Sequence, residues 1–158
     1  MTGTCVIALP RFMKKAGEIA GHLGAEVIPY GPGAFASAFS EYSGIVALMS
    51  AGIVVRSIAP LLRAKWTDPA VVVVSPDLAW AIPVCGGHHG ANRIARSLAV
   101  LGILPVISTA TETRGRMSVE AVAGGYSPRT PITPVEPFCR SALPNMGSRK
   151  SSMPSRRE

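Results

Sequence analysis

SAGIVVRSIAPLLRAKWTDPAVVVVSPDLAWAIPVCGGHHGANRIARSLAVLGILPVISTATE, residues 50–112, decides how this chain folds. Two glycine-containing loops, Met49–Gly52 and Gly86–Gly90, each follow an apolar strand-like run and lead into a helix-like one. Between them, Ala70–Val74 holds four consecutive valines, whose β-branched side chains suit an extended, pleated backbone. Ser75-Pro76-Asp77 is a turn and Leu78–Val84 returns as a second strand, which predicts a hairpin. Asn92–Leu101 is the clearest amphipathic helix: Ile94, Ala95, Leu98 and Leu101 share one side, while Arg93, Arg96 and Ser97 lie elsewhere. Ile53–Leu62 also reads as a helix, with Pro60 expected to end or bend it, and Leu104–Ile107 as a last strand.

The same alternation extends upstream. Cys5–Leu9 is a first strand closed by Pro10, Phe12–Leu23 a helix stopped by Gly24, and Glu26–Tyr30 a second strand broken by Gly31-Pro32-Gly33. Ala34–Ser40 is a short helix, and Gly44–Met49 a third strand without polar alternation, as suits a parallel sheet covered on both faces. Strands alternating with helices predict the α/β class: a three-layer sandwich around a mainly parallel sheet, with one hairpin. Met117–Ala123 is expected to add a helical turn or two. After Gly124 the chain turns rich in Pro, Ser and Arg, so the expected division is an α/β domain over 1–124 and a disordered tail over 125–158.

Composition narrows the function classes. At 158 residues, 47% of them hydrophobic and 16% charged, the chain is long enough for one domain with a substantial core. No apolar run approaches the roughly 18 residues of a membrane span, and no basic segment precedes the first apolar run as in a signal peptide. The three cysteines are widely spaced and form no CxxC, which argues against a disulfide framework and for a reducing cytoplasm. Cys5 and Cys85 are then small core residues. Of the net charge of +7, residues 1–124 carry ten Lys/Arg against seven Asp/Glu, and the tail six against two. The body lacks an aromatic-interleaved basic stripe, so neither nucleic acid nor membrane is expected as a partner.

The chemistry-bearing residues concentrate in the loops. In GGHHGAN, Gly86–Asn92, glycines let a ligand approach the backbone, the following helix start favours negative charge, and His88 or His89 can carry protons near neutrality. The other reading is a tight strand-to-helix turn with one exposed histidine and Asn92 as the helix cap. Adjacent histidines do not share a helix face and no Cys lies at ligand spacing, so no protein metal site is expected. In SAGIVVRSIAP, Ser50–Pro60, Arg56 is either a carboxylate clamp near the loop or a snorkelling helix arginine. Asp68-Pro69 is a turn in which Asp68 binds its own backbone. STATE, Ser108–Glu112, brings three hydroxyls and Glu112 after the last strand, either to the same crevice as the glycine loops or to cap a helix.

These segments together resemble the N-terminal region of the CbiG family, the cobalt-precorrin-5A hydrolases of anaerobic cobalamin biosynthesis. The resemblance is carried by GIVVRSIAPLLRAKWTDPAVVVV, GGHHGAN and PVISTATE, and covers roughly residues 40–115. It implies opening of a δ-lactone on a cobalt macrocycle to give cobalt-precorrin-5B, with release of a two-carbon fragment as acetaldehyde. It further implies His88 or His89 as the base and N–H groups around Gly86–Gly90 at the oxyanion. The substrate-binding set expected is Ser50, Gly52, Arg56, Gly86, Gly87, Gly90, Asn92, Arg93, Thr109, Thr111 and Glu112. Cobalt arrives within the tetrapyrrole substrate, so no separate cofactor is expected. The family usually continues into a C-terminal domain that the Pro/Ser/Arg tail does not resemble. Partnership with a separately encoded C-terminal domain, or with a second copy, is therefore expected. The alternative is a non-catalytic tetrapyrrole-binding module that needs that domain for chemistry.

Overall fold

The computed structural model describes residues 3–108. Its elements follow the alternation of the sequence: β1 (Thr4–Ala8), α1 (Met13–Leu23), β2 (Glu26–Pro29), α2 (Ala34–Glu41), β3 (Gly44–Leu48), α3 (Ala51–Ile58), β4 (Ala70–Val74), β5 (Trp80–Cys85), α4 (Ala91–Ser97) and β6 (Leu104–Pro105). The strands form one six-stranded sheet in the order β2-β1-β3-β4-β5-β6. Every neighbouring pair is parallel except β4 and β5, the expected hairpin.

Alternation along the strands divides the core into two layers. Val6, Ala8, Val46, Leu48, Val72 and Val74 face α1 and α4, against Ile19, Ala95 and Leu98. Cys5, Ile7, Ile45, Ala47, Val71 and Val73 face α2 and α3, against Phe35, Phe39, Val54 and Ile58. All five residues of β3 and of β4 are buried, as helices on both faces of a parallel sheet require. The result is the expected three-layer sandwich.

Several boundaries move for local reasons. A 3₁₀ turn over Pro10–Phe12 precedes α1, which stops where Gly24 turns left-handed at φ 61° and its N–H returns to the Ala20 carbonyl. α3 begins at Ala51, so Gly52 belongs to a helix rather than to a loop. It gives way at Ala59 to a 3₁₀ turn containing Pro60, which lacks an amide hydrogen. β5 starts later than expected because the Ser75 hydroxyl accepts the N–H groups of Ala79 and of Trp80, the first residue of the strand, and so carries the turn through Ala79. The helix expected over Asn92–Leu101 divides into α4 and a 3₁₀ turn over Leu98–Leu101. β6 is only two residues long: Leu104 and Val106 donate to the Ala79 and Ala81 carbonyls, but Pro83 has no N–H with which β5 could continue the ladder, which ends after two pairs. The helical turn expected at Met117–Ala123 and the tail from Gly125 lie outside the described residues.

One topological consequence positions the site. β1, β3 and β4 all run from what we term the lower edge of the sheet to the upper edge, whereas β5 runs back down. Cys85 therefore pairs with Val71 near the start of β4, while Leu48 pairs with Val74 at its end. The Met49–Gly52 segment lies at the upper edge and the Gly86–Gly90 loop at the lower one. They are a strand length apart, on the order of 15 Å at about 3.3 Å per residue. The single crevice expected to hold both does not form.

Candidate functional site

The lower edge is built from two segments, Leu62–Pro69 entering β4 and Gly86–Gly90 leaving β5. The first is shaped by Asp68, only 9% exposed. Both of its carboxylate oxygens accept the Arg63 N–H at 3.1 Å, and the N–H groups of Thr67 and Asp68 return to the Ala64 carbonyl at 3.1 and 3.0 Å. Asp68 does bind local backbone, but it reaches back five residues to close a small ring of chain, a wider clasp than a simple Asp-Pro turn.

The second segment is folded tightly on β4. Gly86 is left-handed at φ 69°, and a Cβ there would stand 2.7 Å from the Ala70 Cα, so no other residue fits this approach. The N–H groups of His89 and Ala91 both donate to the Gly86 carbonyl, at 2.8 and 3.2 Å. Those two donors therefore close the loop rather than aim at an oxyanion. A 3₁₀ turn spans Gly87–His89, and Gly90, at φ 106°, starts the seven-residue α4. Asn92 is 7% exposed in the first turn of α4 and makes no side-chain cap.

Where the two segments meet, His89 becomes the centre of a cluster. Its Nε2 lies 3.1 Å from the Lys65 carbonyl, and its ring stands edge-on to Trp66, centroids 6.3 Å apart and planes at 84°. Trp66 is 60% exposed, and the Lys65 ammonium lies 5.1 Å from its ring centre. The exposed Arg93 folds back toward the loop, its Nη2 3.3 Å from where a Gly90 Cβ would be. An exposed indole, an imidazole and two cations on one edge can stack on a flat ring and hold its peripheral carboxylates. Burial, followed by the charge of Asp68, raises the Cys85 thiol, so it is not poised as a nucleophile near neutral pH.

The upper edge holds the rest. Ser50 heads α3, its carbonyl accepting the N–H groups of Ile53 and Val54, and a Cβ on Gly52 would meet open space. The strand order reverses between β1 and β3, where doubly wound sheets commonly bind ligands, and the exposed Arg11 lies in the turn after β1. Arg56 is exposed in the last turn of α3, where its charge complements the helix's carbonyl end. It lies away from the Ser50 end and toward the segment that leads into Leu62–Pro69. Thr109, Thr111, Glu112 and the side chain of His88 lie outside the described residues.

Of the residues expected from sequence, the structure gathers Gly86, Gly87, His89, Gly90, Asn92 and Arg93 at the lower edge, and leaves Ser50 and Gly52 at the other. Lys65 and Trp66 join the histidine without having been singled out. Their signal was a Trp set in an otherwise polar connecting stretch, RAKWTDP, the kind of segment in which binding groups concentrate. A hollow of about 500 Å³ between α2 and α3 is lined by Tyr30, Phe35, Ser57 and Leu61 and carries little titratable chemistry. A smaller one of about 300 Å³ reaches Arg63 and Asp68 behind the Leu62–Pro69 segment. Among the described residues no group of three or more His, Cys, Asp or Glu is placed to hold a metal, and no helix is long and apolar enough to cross a membrane.

Comparison with known proteins gives this arrangement a context. Residues 33–112, half of the chain, match the family model described as cobalamin synthesis G N-terminal. The chain is 43% identical over 86 residues to the cobalt-precorrin-5A hydrolase of Priestia megaterium, a match spanning 53% of this chain and 23% of that protein. It is 40% identical over 88 residues to the enzyme of the same name from Salmonella typhimurium, spanning 54% and 25%. It thus spans about a quarter of the length of these curated relatives. A crystal structure of a cobalamin biosynthesis protein G homolog from Sulfolobus solfataricus superposes with a TM-score of 0.59 at 29% identity, covering 77% of this chain and 39% of that one.

Proposed function

Because the chain belongs to the cobalamin synthesis G N-terminal family, we propose that it acts on a cobalt-tetrapyrrole intermediate of corrin biosynthesis, hydrolysing the lactone of cobalt-precorrin-5A. The observation that carries the reading is the lower-edge cluster, His89 with Trp66, Lys65 and Arg93, all of it within the matched residues. A macrocycle rimmed with carboxylates needs an aromatic face and cations, and lactone opening needs an activated water. Trp66 offers the face, and Lys65 and Arg93 the charges. His89 takes the proton of a water whose hydroxyl adds to the lactone carbonyl. The bond between the carbonyl carbon and the ring oxygen then breaks, leaving a carboxyl group on the macrocycle and an alkoxide on the two-carbon fragment. The alkoxide electron pair closes to a C=O as the bond between its carbon and the macrocycle breaks; acetaldehyde leaves, and the macrocycle carbon takes the bonding pair and the proton that His89 removed from water.

A second reading follows from the chain spanning about a quarter of its curated relatives: a tetrapyrrole-binding module that relies on a separate C-terminal partner for chemistry. Incubating the purified chain with cobalt-precorrin-5A, while following the substrate spectrum, acetaldehyde and product mass, separates the two. Acetaldehyde that disappears in His89→Ala supports hydrolysis. A spectral shift without acetaldehyde supports the module. No spectral shift at all would remove both.

A further inference from the structure

We infer that the Lys65 carbonyl fixes His89 as its Nε2–H tautomer, leaving Nδ1 as the nitrogen that accepts protons, and that Asp68 is the positioning residue for this contact. The first step is chemical. A carbonyl oxygen carries no hydrogen, so the 3.1 Å approach of Nε2 to the Lys65 oxygen is a hydrogen bond only if Nε2 is the donor. A neutral imidazole has a single N–H, and the lone pair is then on Nδ1.

The second step is mechanical. Lys65 lies inside the ring of chain that Asp68 closes, with both carboxylate oxygens on the Arg63 N–H and two further N–H groups on the Ala64 carbonyl. The carbonyl that receives His89 therefore has a fixed direction. On the other side, the His89 N–H donates to the Gly86 carbonyl at 2.8 Å, and Gly86 is seated against Ala70, two residues beyond Asp68. Both partners of the contact are thus anchored to the start of β4. Trp66, edge-on to the imidazole, limits how far the ring can turn away. Without Asp68 the 63–68 segment loses its clasp, and His89 is left to average over both tautomers like an imidazole in water.

The catalytic meaning of this contact rests on the proposed function; the tautomer itself does not. Ring ¹⁵N spectra of the full chain at a pH where His89 is neutral are expected to show a single Nε2–H tautomer. In Asp68→Ala the same spectra are expected to show averaging, with folding confirmed by the backbone amide spectrum. If Asp68→Ala does not fold, Asp68→Asn, which keeps one acceptor oxygen, is expected to show partial averaging. With cobalt-precorrin-5A, kcat is expected to fall on the order of 100-fold in Asp68→Ala, as for a misplaced reacting group, with KM nearly unchanged. An Nδ1–H or averaged tautomer in the native chain, or a single Nε2–H tautomer that survives loss of the Asp68 carboxylate, would overturn the inference. A chain that shows the tautomer pattern but releases no acetaldehyde would instead count against the proposed reaction.

Discussion

Replacing Gly86 with alanine tests whether the histidine loop is held in place by β4. The added Cβ would stand 2.7 Å from the Ala70 Cα, 3.0 Å from the Ala70 nitrogen and 3.0 Å from the Pro69 oxygen, all of them backbone atoms. Ordinary carbon contacts are about 3.5–4.0 Å, so something must move by several tenths of an ångström. Ala70 cannot move freely, because its N–H donates to the Ser43 carbonyl at 2.9 Å and the residue is the first of a fully buried strand. The left-handed φ costs about 1–2 kcal/mol, and forcing the extra carbon into a packed site about 1–3 kcal/mol. Together these come to about 2–5 kcal/mol, a large share of a typical stability of about 5–15 kcal/mol. With a urea slope of about 2 kcal/mol per M, the unfolding midpoint should fall by roughly 1–2.5 M. Two variants calibrate the result. Gly90→Ala also sits at positive φ, but its Cβ meets only the mobile end of Arg93 at 3.3 Å, so its cost should stay at about 1–2 kcal/mol. Gly17→Ala, on the exposed side of α1 with nothing within 4 Å, should stabilise by about 0.5–1 kcal/mol. If Gly86→Ala proves no more costly than Gly90→Ala, the close seating of the loop on β4 is wrong, and the anchoring of His89 with it.

Other outcomes follow from the same geometry. Trp66→Ala removes a largely exposed ring, so stability should change by no more than about 0.5 kcal/mol. Tetrapyrrole affinity should drop about 2- to 10-fold, the worth of a ring contact of about 0.5–1.5 kcal/mol, and an unchanged spectral titration would take Trp66 out of the site. Arg93→Ala should weaken binding about tenfold through loss of a charged contact, while Arg11→Ala at the upper edge should leave it unaltered; the reverse order would move the substrate to the other edge. The buried Cys5 thiol is pushed up to about 12, first by burial and then by Glu26. Its contribution to stability is therefore fully present below the unfolded thiol value of about 8.5 and is lost as pH rises from there toward about 12, by up to about 1.4 kcal/mol per unit. Urea melts at pH 7.5 and 10 should differ in that direction, and the difference should shrink in Cys5→Ala, leaving the part that the raised Cys85 thiol contributes.

Much of the fold was legible because it is carried by short-range pattern. The valine run of β4 and the unbroken apolar stretch of β3 announce strands buried on both faces, and Gly24 marks the end of α1 at the residue where the chain turns left-handed. What escaped was decided by partners far along the chain or by single atoms. The late start of β5 depends on one hydroxyl of Ser75, and the brevity of β6 on one proline, Pro83, that apolarity alone does not discount. The site was legible as a set of loops, not as a set of neighbours. His89 and Lys65 are 24 residues apart, and their contact depends on how Asp68 folds the segment between α3 and β4.

Hydrophobic alternation has no direction: β5 would bury the same side chains whichever way it ran. Its direction comes instead from the short connection Ser75–Ala79, too brief for the crossover that a parallel neighbour needs. Once that hairpin is granted, the edge of the sheet that receives the next loop is already determined. A loop leaving β5 must arrive where β1, β3 and β4 begin, beside whatever chain enters β4, and not beside the loop that leaves β3. The natural companions of His89 are therefore Lys65, Trp66 and Asp68, while Ser50 and Gly52 are excluded as direct partners within this domain. A carboxylate-rich macrocycle engaging the histidine would take its nearest cations from Lys65 and Arg93. Ser50 and Gly52 could share in the same event only through a ligand or a partner long enough to span the sheet from one edge to the other.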